Sequence, residues 1–144
     1  YEISLGLVGS EMCIRDRAIR RSHGDQVVEC VDNDETAAVI ANLVHAKKLV
    51  LMTSTEGIYR DPADPKTLVE QVTAKSMEEL EGKVRQLQES CVGASRAGAN
   101  GAKAKLEYAL KSARQGTMVI IGHARHRLSD LVEGRVACTR IGLE

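Results

Sequence analysis

KKLVLMTS, residues 47–54, is apolar from Leu49 to Met52, with both charges at its entry and hydroxyls at its exit. A short apolar run of this kind, bounded by turn formers, reads as a strand buried on both faces of a sheet. The segment that follows it, TSTEGIYRDPADP, is rich in turn formers and holds both prolines of the chain, Pro62 and Pro65. Before it, residues 35–46 place Ala38, Ala41, Leu43 and Val44 near helical spacing.

The same alternation continues in both directions. QVVEC (26–30) reads as a strand, residues 68–72 as a short strand, and residues 76–89 as a helix. Ser76 with Glu79 three residues on has the pattern of a capping box. Within that helix MEELEGKVRQLQE is an amphipathic packing face rather than a coiled coil, because it is under two heptads long and contains Gly82. The small-residue loop GASRAGANG (93–101) leads to a helix over 102–114, which Gly116 stops. TMVIIG (117–122) reads as a buried strand, residues 128–133 as a short helix, and RVACTRI (135–141) as a last strand. Strands alternating with helices predict an α/β layered fold with a largely parallel sheet.

At 144 residues the chain is one domain at most, and with 43% hydrophobic residues it has enough apolar material for a core. Twenty basic residues balance twenty acidic ones, and the aromatics are three Tyr with no Phe or Trp. Nucleic acid as a partner is therefore not expected, since neither a basic footprint nor a stacking platform exists. Cys13, Cys30, Cys91 and Cys138 are scattered, without a C-x-x-C pair or zinc-ligand spacing, so the expectation is a cytoplasmic chain with reduced thiols. No apolar run approaches the roughly 18 residues of a membrane span, and no membrane partner is expected.

EISLGLVGSEMCIRDR (2–17) resembles a string found at the ends of translated contigs where sequencing adapter has been read as protein. Residues 1–16 are accordingly expected to be non-native and residues 17–144 to be the natural segment. Setting the former aside removes Glu2, Glu11, Asp16 and Arg15 and leaves the charge near balance.

Three places could carry chemistry. In VDNDETAAVIA (31–41), Asp32, Asn33 and Asp34 stand directly before a helical run. One of them can cap the helix, which stabilises it by about 1 kcal/mol. A cap needs one residue, and the carboxyl end of a strand is where α/β folds bind ligands, so capping and ligand binding stand about even. In GASRAGANGAKAK, a glycine loop and the positive end of a helix can cradle phosphate with a lysine in reach, or can simply connect two elements. The Walker pattern G-x-x-x-x-G-K-[ST] does not occur. The third place is the strand-exit loop TSTEGIYRDP. His123 and His126 have i, i+3 spacing but no third ligand at hand, and read as solvated loop residues.

Taken in order, these segments resemble the amino acid kinase family, and within it the glutamate kinase branch. That branch has Gly-Asp-Asn-Asp where this chain has Val31, Asp32, Asn33 and Asp34. Its Leu-Thr-Asp, Gly-Leu-Tyr and Asp-Pro elements fall on Thr53, Gly57, Ile58, Tyr59, Asp61 and Pro62. Its glycine stretch ending in Thr-Lys-Leu falls on GANGAKAKL, with Gly98, Gly101 and Lys105 in register, and its closing Glu-Gly on LVEGRVACT. Departures are Val31 for Gly, Ser54 for Asp, and Asn100, Ala102 and Ala104 for Gly, Met and Thr.

The resemblance implies a three-layer α/β sandwich with a mostly parallel sheet, of which the chain carries the C-terminal, nucleotide-binding part. It implies an ATP-dependent kinase acting on a small carboxylate, in the glutamate case giving the acyl phosphate of proline synthesis, with Mg²⁺ and a homo-oligomeric assembly. Carried over, Lys105, Asp32 and Asp34 are the catalytic residues, and Asn33 binds the amino acid. Thr53, Ser54, Ala99, Asn100, Gly101, Ala102, Lys103, Ala104 and Lys105 line the nucleotide, and no residue is assigned as a metal ligand. Uridylate kinase-like, acetylglutamate kinase-like and non-catalytic nucleotide-binding readings of the same fold stay open. The family's first half is not matched, so residues 1–144 alone are expected to be inactive.

Overall fold

The computed structural model describes residues 33–61, 63–92 and 99–144. The expected strand at 26–30, the adapter-like segment at 1–16, Asp32, Pro62 and loop residues 93–98 lie outside the described residues. The chain divides into two compact units, residues 1–37 and 38–144. The described part of the first is the opening turn of a helix.

In chain order the elements are α1 (Asn33–Leu43), β1 (Lys48–Thr53), a 3-10 turn (Pro65–Thr67), β2 (Gln71–Ala74), α2 (Met77–Val92), α3 (Ala99–Ala113), β3 (Met118–His123), α4 (Leu128–Glu133) and β4 (Cys138–Leu143). The four described strands form one sheet in the order β1-β3-β4-β2. β1 runs parallel to β3, from Lys48 opposite Met118 to Thr53 opposite His123. β2 runs parallel to β4, and β3 and β4 are antiparallel, with Gly122 opposite Cys138. The mostly parallel α/β sandwich expected from the sequence is thus present, with one antiparallel joint in the middle.

Alternation along β3 separates two faces. Ile120 packs with Leu131 of α4 and with Cys138 in one buried cluster, joined by Val50, Met118 and Val136. A Cβ on Gly122 would lie 2.3 Å from Leu131 Cδ2, so any larger residue here would have to displace the buried Leu131 side chain. Val119 and Ile121, both fully buried, point to the opposite face, where α3 packs on β3 and β4 and α2 packs on β2.

α2 begins as its capping residues require. Ser76 Oγ accepts from the Glu79 amide at 3.3 Å, and the Ser76 carbonyl accepts from Leu80 N at 3.1 Å. The reciprocal half of the box is redirected, because the Glu79 carboxylate pairs with Lys83 at 2.7 Å. The hydrogen bond and charge of Lys83, aided by a backbone hydrogen bond from Lys75, hold the Glu79 carboxyl below its ordinary value. Leu80, Val84 and Leu87 fall at i, i+4 and i+7 and are buried, while Gly82 faces outward with open space around it. Full burial of such a side chain stabilises by about 1.5–3 kcal/mol.

Several expectations need correcting. β1 is not buried on both faces: it is an outer strand of the described sheet, and Met52 is 48% exposed. An apolar run shows that a strand is fit for a core, not how many neighbours it has. β2 lies at Gln71–Ala74 rather than 68–72, because Leu68 and Val69 pair with Tyr59 and Ile58 instead. α3 starts at Ala99, three residues before the expected 102, so the end of the glycine loop is helical. α1 is helical from Asn33, the first described residue, and ends at Leu43, so Asn33 and Asp34 are part of the helix rather than ahead of it.

Candidate functional site

The strand ends converge at one edge. Thr53 and His123, the last residues of two parallel strands, are partners in register, and Ala124 N extends the ladder by donating to Thr53 O at 2.8 Å. α3 enters β3 through a tight turn at Gly116, so it runs back along the strand it feeds. Its 15 residues span about 22 Å against about 20 Å for the six of β3. The N-terminus of α3 therefore stands at the same edge as Thr53 and His123.

The β1 exit is a turn built by its own hydroxyls. Thr53 Oγ1 donates to Thr55 O at 2.8 Å and accepts from Thr55 N at 3.0 Å, and Thr55 Oγ1 donates to Gly57 O at 3.1 Å. Gly57 then meets Thr139 of β4 so closely that a Cβ would sit 2.3 Å from Thr139 Oγ1. Ile58 N donates to that buried hydroxyl at 2.8 Å. Ser54 and Thr55 are left exposed at the tip of the turn.

Beyond it, residues 58–69 brace themselves. Thr67 Oγ1 donates to the carbonyls of Asp61 and Asp64, and the two carboxylates accept from Ala63 N and Lys66 N, each at 2.9 Å. The described side-chain bonds of Asp61, one of the motif residues, are thus those of a turn former.

α3 offers the second wall. A helix leaves its first four N–H groups without an intrahelical partner, here, among the described residues, those of residues 99–101. The first turn carries no acidic residue, Gly101 faces open space, and Lys103 and Lys105 follow on the next turn, the one exposed and the other half-buried. Ala102 and Ala104 are half-buried. An acid-free positive helix end followed by two lysines suits an anion.

Of the residues expected at the site, Thr53, Ser54, Gly101, Ala102, Lys103, Ala104 and Lys105 belong to these two walls, and Ala99 and Asn100 supply the helix start. Asn33 and Asp34 stand in the opening turn of α1, in the unit of residues 1–37.

Sequence reasoning missed a group at the same edge. Glu56 bonds through Oε1 to the Arg125 guanidinium and lies through Oε2 2.6 Å from His126 Nε2. His126 and Glu56 are only 20% and 17% exposed, so His126 is not the solvated loop residue expected. His123 is half-buried beside it, and its Nδ1 accepts from Arg125 N at 3.0 Å. The histidine pair was visible in the sequence, but its partner lies 70 residues away. Among the described residues no three His, Cys, Asp or Glu side chains gather as a metal site would need, and no helix is long and apolar enough to cross a membrane.

A model of the amino acid kinase family matches residues 18–123. Glutamate 5-kinase of Geobacillus kaustophilus is 34% identical over 115 residues, which cover 78% of this chain and 29% of that protein. Acetylglutamate kinase of Methanopyrus kandleri is 44% identical over 59 residues, covering 41% of this chain and 24% of that protein. The chain thus spans less than a third of the length of these relatives. Carbamate kinase from Giardia lamblia bound to AMP-PNP shares the fold, with a TM-score of 0.63 at 19% identity over 87% of this chain and 37% of that one. With a family match over most of its length and the sheet and helices to go with it, the chain belongs to the amino acid kinase family.

Proposed function

We propose that this chain forms the nucleotide-binding part of an ATP-dependent kinase that phosphorylates a carboxylate, with L-glutamate as acceptor and glutamyl 5-phosphate as product. The observation that carries this reading is the convergence, at one sheet edge, of the hydroxyl-built β1 exit turn and the acid-free, lysine-bearing start of α3. In phosphoryl transfer the protein's task is to hold two anions in line and to offset charge on the group in flight. The N–H groups of residues 99–101 and the ammonium groups of Lys103 and Lys105 suit the phosphates, with Lys105 as the charge nearest the transferred group. Thr53 and Ser54 face the nucleotide through the exit turn, Asn33 orients the amino acid, and Asp32 and Asp34 order the acceptor side.

Mg²⁺, when bound with the nucleotide, supplies further charge for the transferring group. The described donors fit an ion that arrives on phosphate rather than one caged by protein. The carboxylate at this edge, Glu56, is already engaged by Arg125 and His126. N-acetylglutamate is the second acceptor to consider, favoured by the 44% identity over 59 residues to an acetylglutamate kinase.

Calorimetric titration of the full chain with Mg·AMP-PNP tests the nucleotide half of the proposal. Saturable binding is expected, weakened about tenfold or more in Lys105→Ala, because a charge-assisted contact contributes about 1.5–3 kcal/mol. Heat of mixing alone would refute it. Trapping with hydroxylamine then reports the acceptor: a hydroxamate of glutamate supports the first reading and one of N-acetylglutamate the second. Binding without hydroxamate from either matches the expected inactivity of residues 1–144 alone and leaves the nucleotide half of the proposal standing.

A further inference from the structure

We infer that Glu56, held by Arg125 and His126, is a positioning clasp that sets the β1 exit turn and through it the affinity for nucleotide. The link to affinity rests on the nucleotide reading of that turn, whereas the clasp itself rests on geometry alone. The turn is tied at three points. At its start Thr53 O accepts from Ala124 N, and at its end Ile58 N donates to Thr139 Oγ1, both at 2.8 Å. Between them Ser54 and Thr55 are exposed, and the tie across to the β3 exit is Glu56.

Two features suit that tie to positioning. It is two-pronged, one carboxylate oxygen going to a guanidinium and the other to an imidazole, which fixes direction as well as distance. An ionised carboxylate only accepts, so His126 places its proton on Nε2 for Glu56. The clasp also joins the exits of the two parallel strands that form the edge. His123, whose ring lies 6.3 Å from that of His126 in edge-on contact, and Arg125, whose amide is bonded to His123 Nδ1, hold the receiving loop in shape. Glu56 itself touches no ligand in this scheme. It acts through Ser54 and Thr55.

Two readouts on the full chain, in Glu56→Ala, Glu56→Gln and His126→Ala, test this. Hydrogen exchange of the 53–58 segment is expected to rise about tenfold in Glu56→Ala and His126→Ala, with α2 and α3 unchanged. Glu56→Gln, which keeps one acceptor of the same length, is expected to restore most of the protection. In titrations with Mg·AMP-PNP, the alanine variants should bind about tenfold more weakly and the glutamine variant within about threefold of the parent, at unchanged urea midpoint.

Unchanged exchange at 53–58 in the alanine variants overturns the clasp. Faster exchange with unchanged affinity overturns its link to nucleotide, and so does a loss of affinity matched by a loss of global stability with no rescue by glutamine. If the parent chain binds no nucleotide, the functional reading falls, and the exchange experiment still decides the clasp.

Discussion

The turns that lead into β1 and β3 and the turns that lead out of them are built on different principles. Into β1, α1 closes with His45 at φ 50°, the Ala46 amide reaching back to Ala41 O and the His45 amide to Asn42 O. Into β3, α3 closes in the same way, with Gly116 at φ 81°, Thr117 N bonded to Ser112 O and Gly116 N to Ala113 O. Both are Schellman closures, in which backbone satisfies backbone, with one side-chain tie between them from the Thr117 hydroxyl to Ala46 O.

The exits instead use side chains, namely the hydroxyls of Thr53, Thr55 and Thr139 and the Glu56 cluster. A turn that only has to reverse the chain can be closed by its own amides. The side-chain ties of the β1 exit leave Ser54 exposed at the tip, where the proposed function puts the nucleotide.

Gly57→Ala should have the largest effect. Its Cβ would stand 2.3 Å from Thr139 Oγ1 and 3.0 Å from Thr139 N, and the backbone atom has little room to yield. A loss of about 3 kcal/mol is expected from the urea midpoint, the upper range for overpacking, together with weaker nucleotide binding. A loss near zero would mean that the exit turn is looser than drawn.

The two buried threonines form a matched pair that sharpens the contrast. Thr139→Val strands the buried Ile58 amide and should cost about 2 kcal/mol, while Thr117→Val removes the donor to Ala46 O, 2.7 Å away, and should cost about 1 kcal/mol. Only the former should alter the Kd for Mg·AMP-PNP. Equal effects on binding would erase the distinction between entry and exit.

How much of this was legible in the sequence depended on how local each cause is. The start of α2 could be read from Ser76 and Glu79, its buried face from Leu80, Val84 and Leu87, and α4 to the residue, because each follows from contacts within a few positions. The outer position of β1 in the described sheet and the shift of β2 could not be read, because strand neighbours and the pairing of Val69 with Ile58 are set by distant chain. The candidate site divides along the same line. Thr53 and Lys105 stand out through motif resemblance. The Glu56–His126 tie spans 70 residues and has no local pattern.

The most direct test of the central claim, that the exits and not the entries receive nucleotide, is hydrogen exchange of the full chain with and without Mg·AMP-PNP. The account predicts added protection at residues 53–57 and 99–105, with residues 44–47 and 114–117 unchanged. Protection confined to the entry turns, or none at the exits under saturating nucleotide, would contradict it.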